Sequence, residues 1–205
     1  MEHAFWHARW EEGRIGFHQQ EINEQLQSHW SALNLAADTQ VLVPLCGKSH
    51  DMLWLREQGH SIVGVELNEG ACNAFFGDNG VDPEIVESTP YRAYRCDGIE
   101  LLCGDMFALD EACFNRVGAV YDRAALVALP PEMRSTYAQM LCDKLPVGVP
   151  VLLITMEFEG DQGPPFAIAE AEVNVLYGER FEIRRLSETE DGPKGKDVAY
   201  LLVDK

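Results

Sequence analysis

Val41-Leu42-Val43-Pro44-Leu45-Cys46-Gly47-Lys48-Ser49, continued by Ser61-Ile62-Val63-Gly64-Val65-Glu66, is the stretch that decides the fold. Val41–Val43 is a short, uninterrupted apolar run, as expected of a strand buried on both faces. Pro44 to Ser49 reads as its turn, and Met52 to Gln58 as a helix that Gly59 stops. Ser61–Val65 is a second buried strand, and it ends on an acid, Glu66. Strand, turn, helix, strand is the unit from which parallel sheets are built.

The same alternation continues outward. A helix is predicted from about Asn68 to Phe76, closed by Gly77 or Gly80. Tyr91–Cys96 and Ile99–Cys103 flank Asp97-Gly98, a strong two-residue hairpin turn. Val117–Tyr121 is a strand ending on Asp122, Met133–Leu145 a helix, and Val149–Thr155 a strand. Beyond Gly163-Pro164-Pro165, Ala169–Tyr177 reads as a helix, and Phe181–Leu186 with Val198–Val203 as an antiparallel pair. Upstream, Phe5, Trp6 and Trp10 lie at helical spacing, and a second helix runs from about Asn23 to Leu35. The expected architecture is α/β and doubly wound: a mostly parallel seven-stranded sheet with an antiparallel C-terminal edge and helices on both faces. No repeat or linker divides the chain, so residues 1–205 are read as one domain, with 1–36 as an N-terminal helical cap. Ligands should sit beyond the carboxyl ends of the strands.

Composition narrows the partners. The chain has 16 basic and 34 acidic side chains, a net charge of −18, which disfavours nucleic acid and anionic membranes. No apolar run approaches the ~20 residues of a membrane span, and the first ten residues lack the pattern of a signal peptide. Six cysteines show neither Cys-x-x-Cys pairs nor zinc spacing, and the six histidines form no metal motif, so no metal is assigned. A cytoplasmic monomer acting on a small molecule is the expectation.

The acids at the strand ends speak to the ligand. Glu66 stands nineteen residues beyond Gly47, where a carboxylate can accept both hydroxyl protons of an adenosine ribose. The turn holds a single glycine and opens with Pro44, which has no N–H to give. A pyrophosphate needs several backbone donors at close approach, so a dinucleotide suits this turn poorly. S-adenosylmethionine carries no phosphate and suits it well. Asp105, with Met106 and Phe107 beside it, can receive the adenine amino group, or equally can cap the helical turn that follows. Asp122 ends the next strand and is followed at once by Arg123, whose alternative role is a surface ion pair. Ser49-His50-Asp51 is no hydrolase triad, because three adjacent residues cannot converge as nucleophile, base and orienter.

These residues resemble the thiopurine S-methyltransferase family, in what looks like its bacterial branch. The likeness is carried by Trp10 with Gly16-Phe17-His18, by Val43 to Ser49, and by Gly59-His60 through Glu66. It continues in Tyr121-Asp122-Arg123-Ala124-Ala125-Leu126-Val127-Ala128 and Gly163-Pro164-Pro165-Phe166. The resemblance implies a class I fold and methyl transfer from S-adenosylmethionine to the sulfur of a small aromatic or heterocyclic thiol, extending to selenium or tellurium species. It implies that Trp10, Leu45, Gly47, Glu66, Asp105, Met106 and Arg123 bind the methyl donor. Phe17, Arg123 and Pro165 would bind the acceptor, with Arg123 and Asp122 as catalytic residues: Arg123 holds the thiolate, and Asp122 positions Arg123 or a water. One stretch departs from the family, since Glu188 to Asp197 is short and acidic where relatives carry aromatic and basic residues. The rival readings are a nicotinamide-dependent oxidoreductase and a non-enzymatic adenosyl-ligand-binding protein.

Overall fold

The computed structural model describes residues 3–160, 163–192 and 195–205. It opens with α1 (His3–Glu11), α2 (Glu24–His29) and a 3-10 turn at Trp30–Leu33, before β1 (Gln40–Pro44). Next come α3 (Asp51–Glu57), β2 (Ser61–Glu66) and α4 (Glu69–Asp78), then β3 (Glu84–Ser88), β4 (Tyr91–Cys96) and β5 (Ile99–Cys103). The chain continues through α5 (Glu111–Phe114), β6 (Ala119–Arg123), α6 (Pro131–Lys144), β7 (Val151–Glu157) and α7 (Glu170–Tyr177). It closes with β8 (Phe181–Gly192) and β9 (Gly195–Asp204).

All nine strands join one sheet in the order β3-β4-β5-β2-β1-β6-β7-β9-β8. From β5 to β7 the five neighbours run parallel, and β9 returns antiparallel against β7. The stretch from β5 to β8 is the expected seven-stranded, doubly wound sheet with its antiparallel edge. The β3-β4 ribbon widens it at the other end. β3 went unread because Glu84, Ile85 and Glu87 are exposed and Val86 is only half-buried, so no apolar face marks the strand. Its glutamates suit a sheet edge that must not pair further.

Residues 41–44 of β1 and 62–66 of β2 are buried throughout, so both sheet faces are covered. Alternation sends Leu42, Val63 and Val65 into one core, with Phe114, Tyr137 and Tyr177 of the helices on that side. Val41, Val43 and Ile62 enter the other, with Leu26, Met52, Leu55 and Phe75. At Gly64 an added Cβ would lie 2.5 Å from Leu101 Cδ2 and 2.7 Å from Cys46 Sγ, which is why β2 carries a glycine there. The β4–β5 hairpin turns on Asp97 (φ 43°) and Gly98 (φ 77°), the positive dihedrals that a two-residue turn of this hand requires.

Two expectations change at the ends. The helix expected over Asn23–Leu35 divides into α2 and the 3-10 turn, which stops at Asn34 in left-handed conformation. The closing strands are far longer than Phe181–Leu186 and Val198–Val203. Pairing runs on through Glu188↔Val198 and Thr189↔Asp197 to Gly192↔Gly195, so the acidic segment is ladder. Arg185, paired with Glu157, Glu170 and Glu188, offsets the charge on this edge. Among the described residues no helix is long and apolar enough to cross a membrane.

Candidate active site

The carboxyl ends of β1, β2, β5 and β6 open into a cavity of about 710 Å³. It lies where the chain order reverses between β1 and β6, the expected ligand crevice of a doubly wound sheet. α1 and residues 16–19 line it from above, and Pro164, Pro165 and Asp197 line it at the far side.

One half is built on the β1 turn. Leu45 takes φ 47° and Gly47 φ 55°, so the backbone coils tightly at the strand tip. For Leu45 this is a sparsely populated conformation, of the kind held at functional sites by its surroundings. Glu66 supplies the holding contact: its Oε2 accepts from the Gly47 N–H at 2.9 Å, and its Oε1 from the Asn68 N–H at 2.8 Å. A carboxylate has about four lone-pair sites, so each Glu66 oxygen keeps capacity for a hydroxyl in the cavity it lines. Burial pushes the Glu66 carboxyl up, and the backbone N–H groups draw it partly back.

α1 lies over this turn. A Cβ added to Gly47 would stand 3.3 Å from the Trp10 indole, so the glycine allows the ring to sit down on the backbone. Trp6 and Trp10 both meet Phe17 edge-on, at 5.8 and 5.6 Å between ring centroids. Asn68 Nδ2 and His7 Nδ1, 3.0 Å apart, tie α1 to the start of α4. Trp6, which helical spacing marks as packing, lines the cavity as Trp10 does.

Asp105 caps the turn that follows it and also lines the cavity. Its Oδ1 accepts from the Phe107 N–H at 2.9 Å and caps the 3-10 turn Met106–Ala108. Its Oδ2 lies 3.4 Å from His3 Nε2, and the residue lines the cavity with Met106 and Phe107. The Tyr91 hydroxyl donates to the Asp105 carbonyl at 2.7 Å and fixes the segment.

The other half gathers around Arg123. This residue ends β6, opposite Ile154 of β7, and both line the cavity with Met156, Val127, Pro164 and Pro165. Among the described residues no carboxylate lies within ion-pair distance of the Arg123 guanidinium, so the surface-pair alternative does not hold. The Gly163–Phe166 loop is anchored by the Phe166 N–H donating to the Val127 carbonyl at 2.7 Å, and by Arg134 5.1 Å over the Phe166 ring. Phe17 and Pro165 therefore face the cavity, while Phe166 holds the loop from behind.

Asp122 is a correction. It has no exposed surface and does not line the cavity: its Oδ2 accepts from the Tyr137 hydroxyl at 2.7 Å and its Oδ1 from the Leu126 N–H at 3.1 Å. Adjacent strand residues point to opposite faces, so Asp122 and Arg123 cannot act side by side on one ligand. What Asp122 does is brace the turn after β6, where Ala124 takes φ 68°.

Ser49, His50 and Asp51 are occupied separately. The Ser49 hydroxyl accepts from the Asp51 N–H at 3.3 Å, His50 Nδ1 lies 3.0 Å from the Gln20 carbonyl, and Asp51 Oδ2 accepts from the Tyr121 hydroxyl at 2.9 Å. His18 lines the cavity, and burial, followed by the charges of Lys48, His50 and Arg123, lowers its pKa. Sequence reasoning missed Tyr121, Ile154, Met156 and Asp197 as lining residues. Tyr121 and Ile154 read as buried strand residues and Met156 lay beyond the expected strand end at Thr155; period-2 alternation from Arg123 and Ile154 is the signal that finds them. Asp197 had no signal, because its place depends on how far the β8–β9 ladder extends.

The donor set suits an adenosyl group. Glu66 offers acceptors for a ribose diol and Asp105 one for an amine, while Lys48, the cation of the β1 turn, is paired with Asp78 at 2.6 Å. Strand order and cavity together define the class I S-adenosylmethionine-dependent methyltransferases. The fold is shared, at 16% identity and a TM-score of 0.71, with the Burkholderia thailandensis 1,6-didemethyltoxoflavin-N1-methyltransferase solved with 1,6-didemethyltoxoflavin and S-adenosylhomocysteine, over 99% of this chain and 87% of that one. It is shared also with the Synechocystis magnesium protoporphyrin IX methyltransferase solved with S-adenosylmethionine (TM-score 0.68, 13% identity, 98% and 97% covered). The family described as thiopurine S-methyltransferase matches residues 1–198. The thiopurine S-methyltransferase of Pseudomonas entomophila is 46% identical over 198 residues, 95% of this chain and 92% of that protein. The enzyme of that name from Nitrosospira multiformis is 48% identical over 189 residues, 91% and 86% of the two chains. The chain belongs to the thiopurine S-methyltransferase family and takes its methyl group from S-adenosylmethionine. The nicotinamide and non-enzymatic readings fall with that result.

Proposed function

We propose that this enzyme methylates the sulfur of a small aromatic or heterocyclic thiol. The observation that carries the reading is Arg123, a guanidinium with no ion pair among the described residues, which lines the cavity beside the apolar Val127, Ile154, Met156, Pro164 and Pro165. Such a group is poorly placed for a cationic acceptor and well placed for a thiolate beside a flat ring. Trp10, Leu45, Gly47, Glu66, Asp105 and Met106 hold the methyl donor, and Phe17, Pro165 and Arg123 hold the acceptor. Arg123 stands between the two and serves both.

S-adenosylmethionine supplies a methyl group already activated by its sulfonium. The protein's part is alignment, which is worth up to ~7–11 kcal/mol when two reactants are held in line. Phe17, Pro164 and Pro165 confine the ring, and Arg123 favours the ionised sulfur. No strong base is needed for an acceptor that enters as thiolate. Selenium and tellurium species, softer still, are acceptors by the same logic. Residues 3–19 act as a cap on a single domain, since α1 and residues 16–19 line the cavity while α1 buries none of its own residues; the rest of the expected cap, with Leu26, Trp30 and Leu33, packs into the core. The charge of −18 supports a small-molecule partner rather than nucleic acid or membrane, and we assign the enzyme to the cytoplasm as a monomer.

Methyl transfer from labelled donor to a panel of aromatic thiols, selenite and tellurite tests the acceptor. Replacing Arg123 by Ala should lower kcat/KM on an aromatic thiolate by roughly 100-fold, the scale of one charge-assisted bond of ~1.5–3 kcal/mol. Arg123→Lys should recover only part of this, lacking the planar fork. Unchanged thiol methylation by Arg123→Ala would sink the assignment.

A further inference from the structure

His18 brings an unengaged imidazole to the cavity. Its N–H donates to the Ile15 carbonyl at 2.8 Å, closing the turn that carries residues 16–19 to the wall. Phe17 before it is packed edge-on against Trp6 and Trp10, and the His18 ring meets that of His50 edge-on, 5.5 Å between centroids. His50 Nδ1 is in turn 3.0 Å from the Gln20 carbonyl, so the His18 ring has a fixed seat. Among the described residues neither ring nitrogen of His18 has a hydrogen bond or ion pair, and the residue is only half-buried in the cavity wall. Other bases along that wall are engaged. Glu66 accepts from Gly47 and Asn68, Asp51 from Asn23 and Tyr121, and Asp105 from Phe107. Arg123 has donors and no acceptor, so it can hold a thiolate but cannot take a proton from a thiol. Burial, then the charges of Lys48, His50 and Arg123, lower the His18 pKa, and Asp78 opposes them. The imidazole therefore stays neutral, and able to accept, where a weakly acidic thiol still keeps its proton.

Resting on the sulfur-acceptor reading, we propose that His18 is the general base for acceptors that enter un-ionised, so that the enzyme methylates weakly acidic aromatic thiols as well as those already present as thiolates. The S–H proton passes to a free imidazole nitrogen, and the S–H bond pair stays on sulfur. A sulfur lone pair forms the S–CH3 bond while the bond from methyl carbon to the donor sulfonium breaks, its pair remaining on S-adenosylhomocysteine. A neutral thiol, neutral imidazole and singly positive donor become a neutral thioether, neutral S-adenosylhomocysteine and an imidazolium, so atoms and charge balance. The imidazolium then returns its proton to water. Arg123 and His18 thus divide the work: the guanidinium orients the sulfur of every acceptor, and the imidazole acts only where a proton must leave.

The experiment compares 4-nitrothiophenol, ionised at pH 6, with 4-methoxythiophenol, largely protonated there and ionised at pH 8. In wild type, kcat/KM on 4-methoxythiophenol should hold its value below the pH at which the free thiol takes up its proton. A profile that simply follows the ionised fraction overturns the inference. In His18→Gln and His18→Asn, the pH 6 ratio of kcat/KM, methoxy over nitro, should fall severalfold below wild type, toward the share of the thiol ionised in free solution. At pH 8 the ratio should match wild type. Taking a ratio cancels any loss of folded protein. An unchanged ratio at pH 6 overturns the role of His18 while leaving sulfur methylation intact. A ratio lowered equally at both pH values also overturns it, since a base has nothing to remove at pH 8. Wild type that methylates neither compound overturns the underlying acceptor reading, and this inference with it.

Discussion

Asp122 carries a buried carboxylate whose pKa is raised to about 6, first by burial, against which the Tyr137 hydroxyl and the Leu126 and Ala125 N–H groups pull it down. A raised carboxylate pKa means that the folded state binds the proton more tightly than the unfolded chain, whose Asp titrates near ~3.9. Stability from this residue is therefore full below the unfolded value, and is lost as pH rises through the folded one. Asn in its place is neutral at every pH and lacks this dependence. Urea unfolding of wild type and Asp122→Asn should show wild type gaining on the variant by on the order of 1 kcal/mol as pH falls from 7 to 5. A constant difference would mean that Asp122 titrates elsewhere. Sequence alone exposed the pair Asp122-Arg123 but misassigned its first member, because the side-chain partner Tyr137 comes from a distant helix. Glu66 was legible for the opposite reason: its fixed interval from Gly47 is a property of one strand-turn-helix-strand unit.

At the scale of elements, α1 contributes cavity lining without core. None of its residues is buried, yet Trp6, Arg9 and Trp10 line the cavity. Binding and stability should therefore separate in Trp10→Ala. S-adenosylmethionine affinity should fall at least tenfold by calorimetry, while unfolding free energy changes by about 1 kcal/mol or less, nearer a surface than a core substitution. A large loss of stability would show that α1 is part of the core after all. The helix was recognisable from its tryptophan spacing, but spacing cannot tell a face packed on a core from a face packed on a ligand. β1 and β2 were plain because both their faces are apolar. β3 and the outer parts of β8 and β9 were not, because these segments carry charge rather than an apolar pattern, and only hydrogen bonding to a neighbour makes them strands.

For the whole molecule, the net charge of −18 creates a field that acts on the two substrates with opposite sign. S-adenosylmethionine carries one net positive charge and an aromatic thiolate one negative charge. Raising ionic strength from 0.01 to 0.15 M shortens the screening length from about 30 to about 8 Å. The KM for S-adenosylmethionine should then rise while kcat/KM for a thiolate such as 4-nitrothiophenol improves. If higher salt weakened, or strengthened, capture of both substrates alike, the local field at Arg123 and not the global charge would govern approach.

From its sequence alone this chain had determined the parallel core, the tight single-glycine turn with Glu66 beyond it, and the family, because each is written within contiguous segments whose periodicity and spacing survive any packing. Tertiary structure decided which way Asp122 and Arg123 part, and that Trp6 and Asp197 join the cavity wall. Those outcomes depend on contacts between residues tens of positions apart, such as Asp197 with Met156 across β9 and β7. A side chain's partner there is set by strand order and register, which no local pattern records.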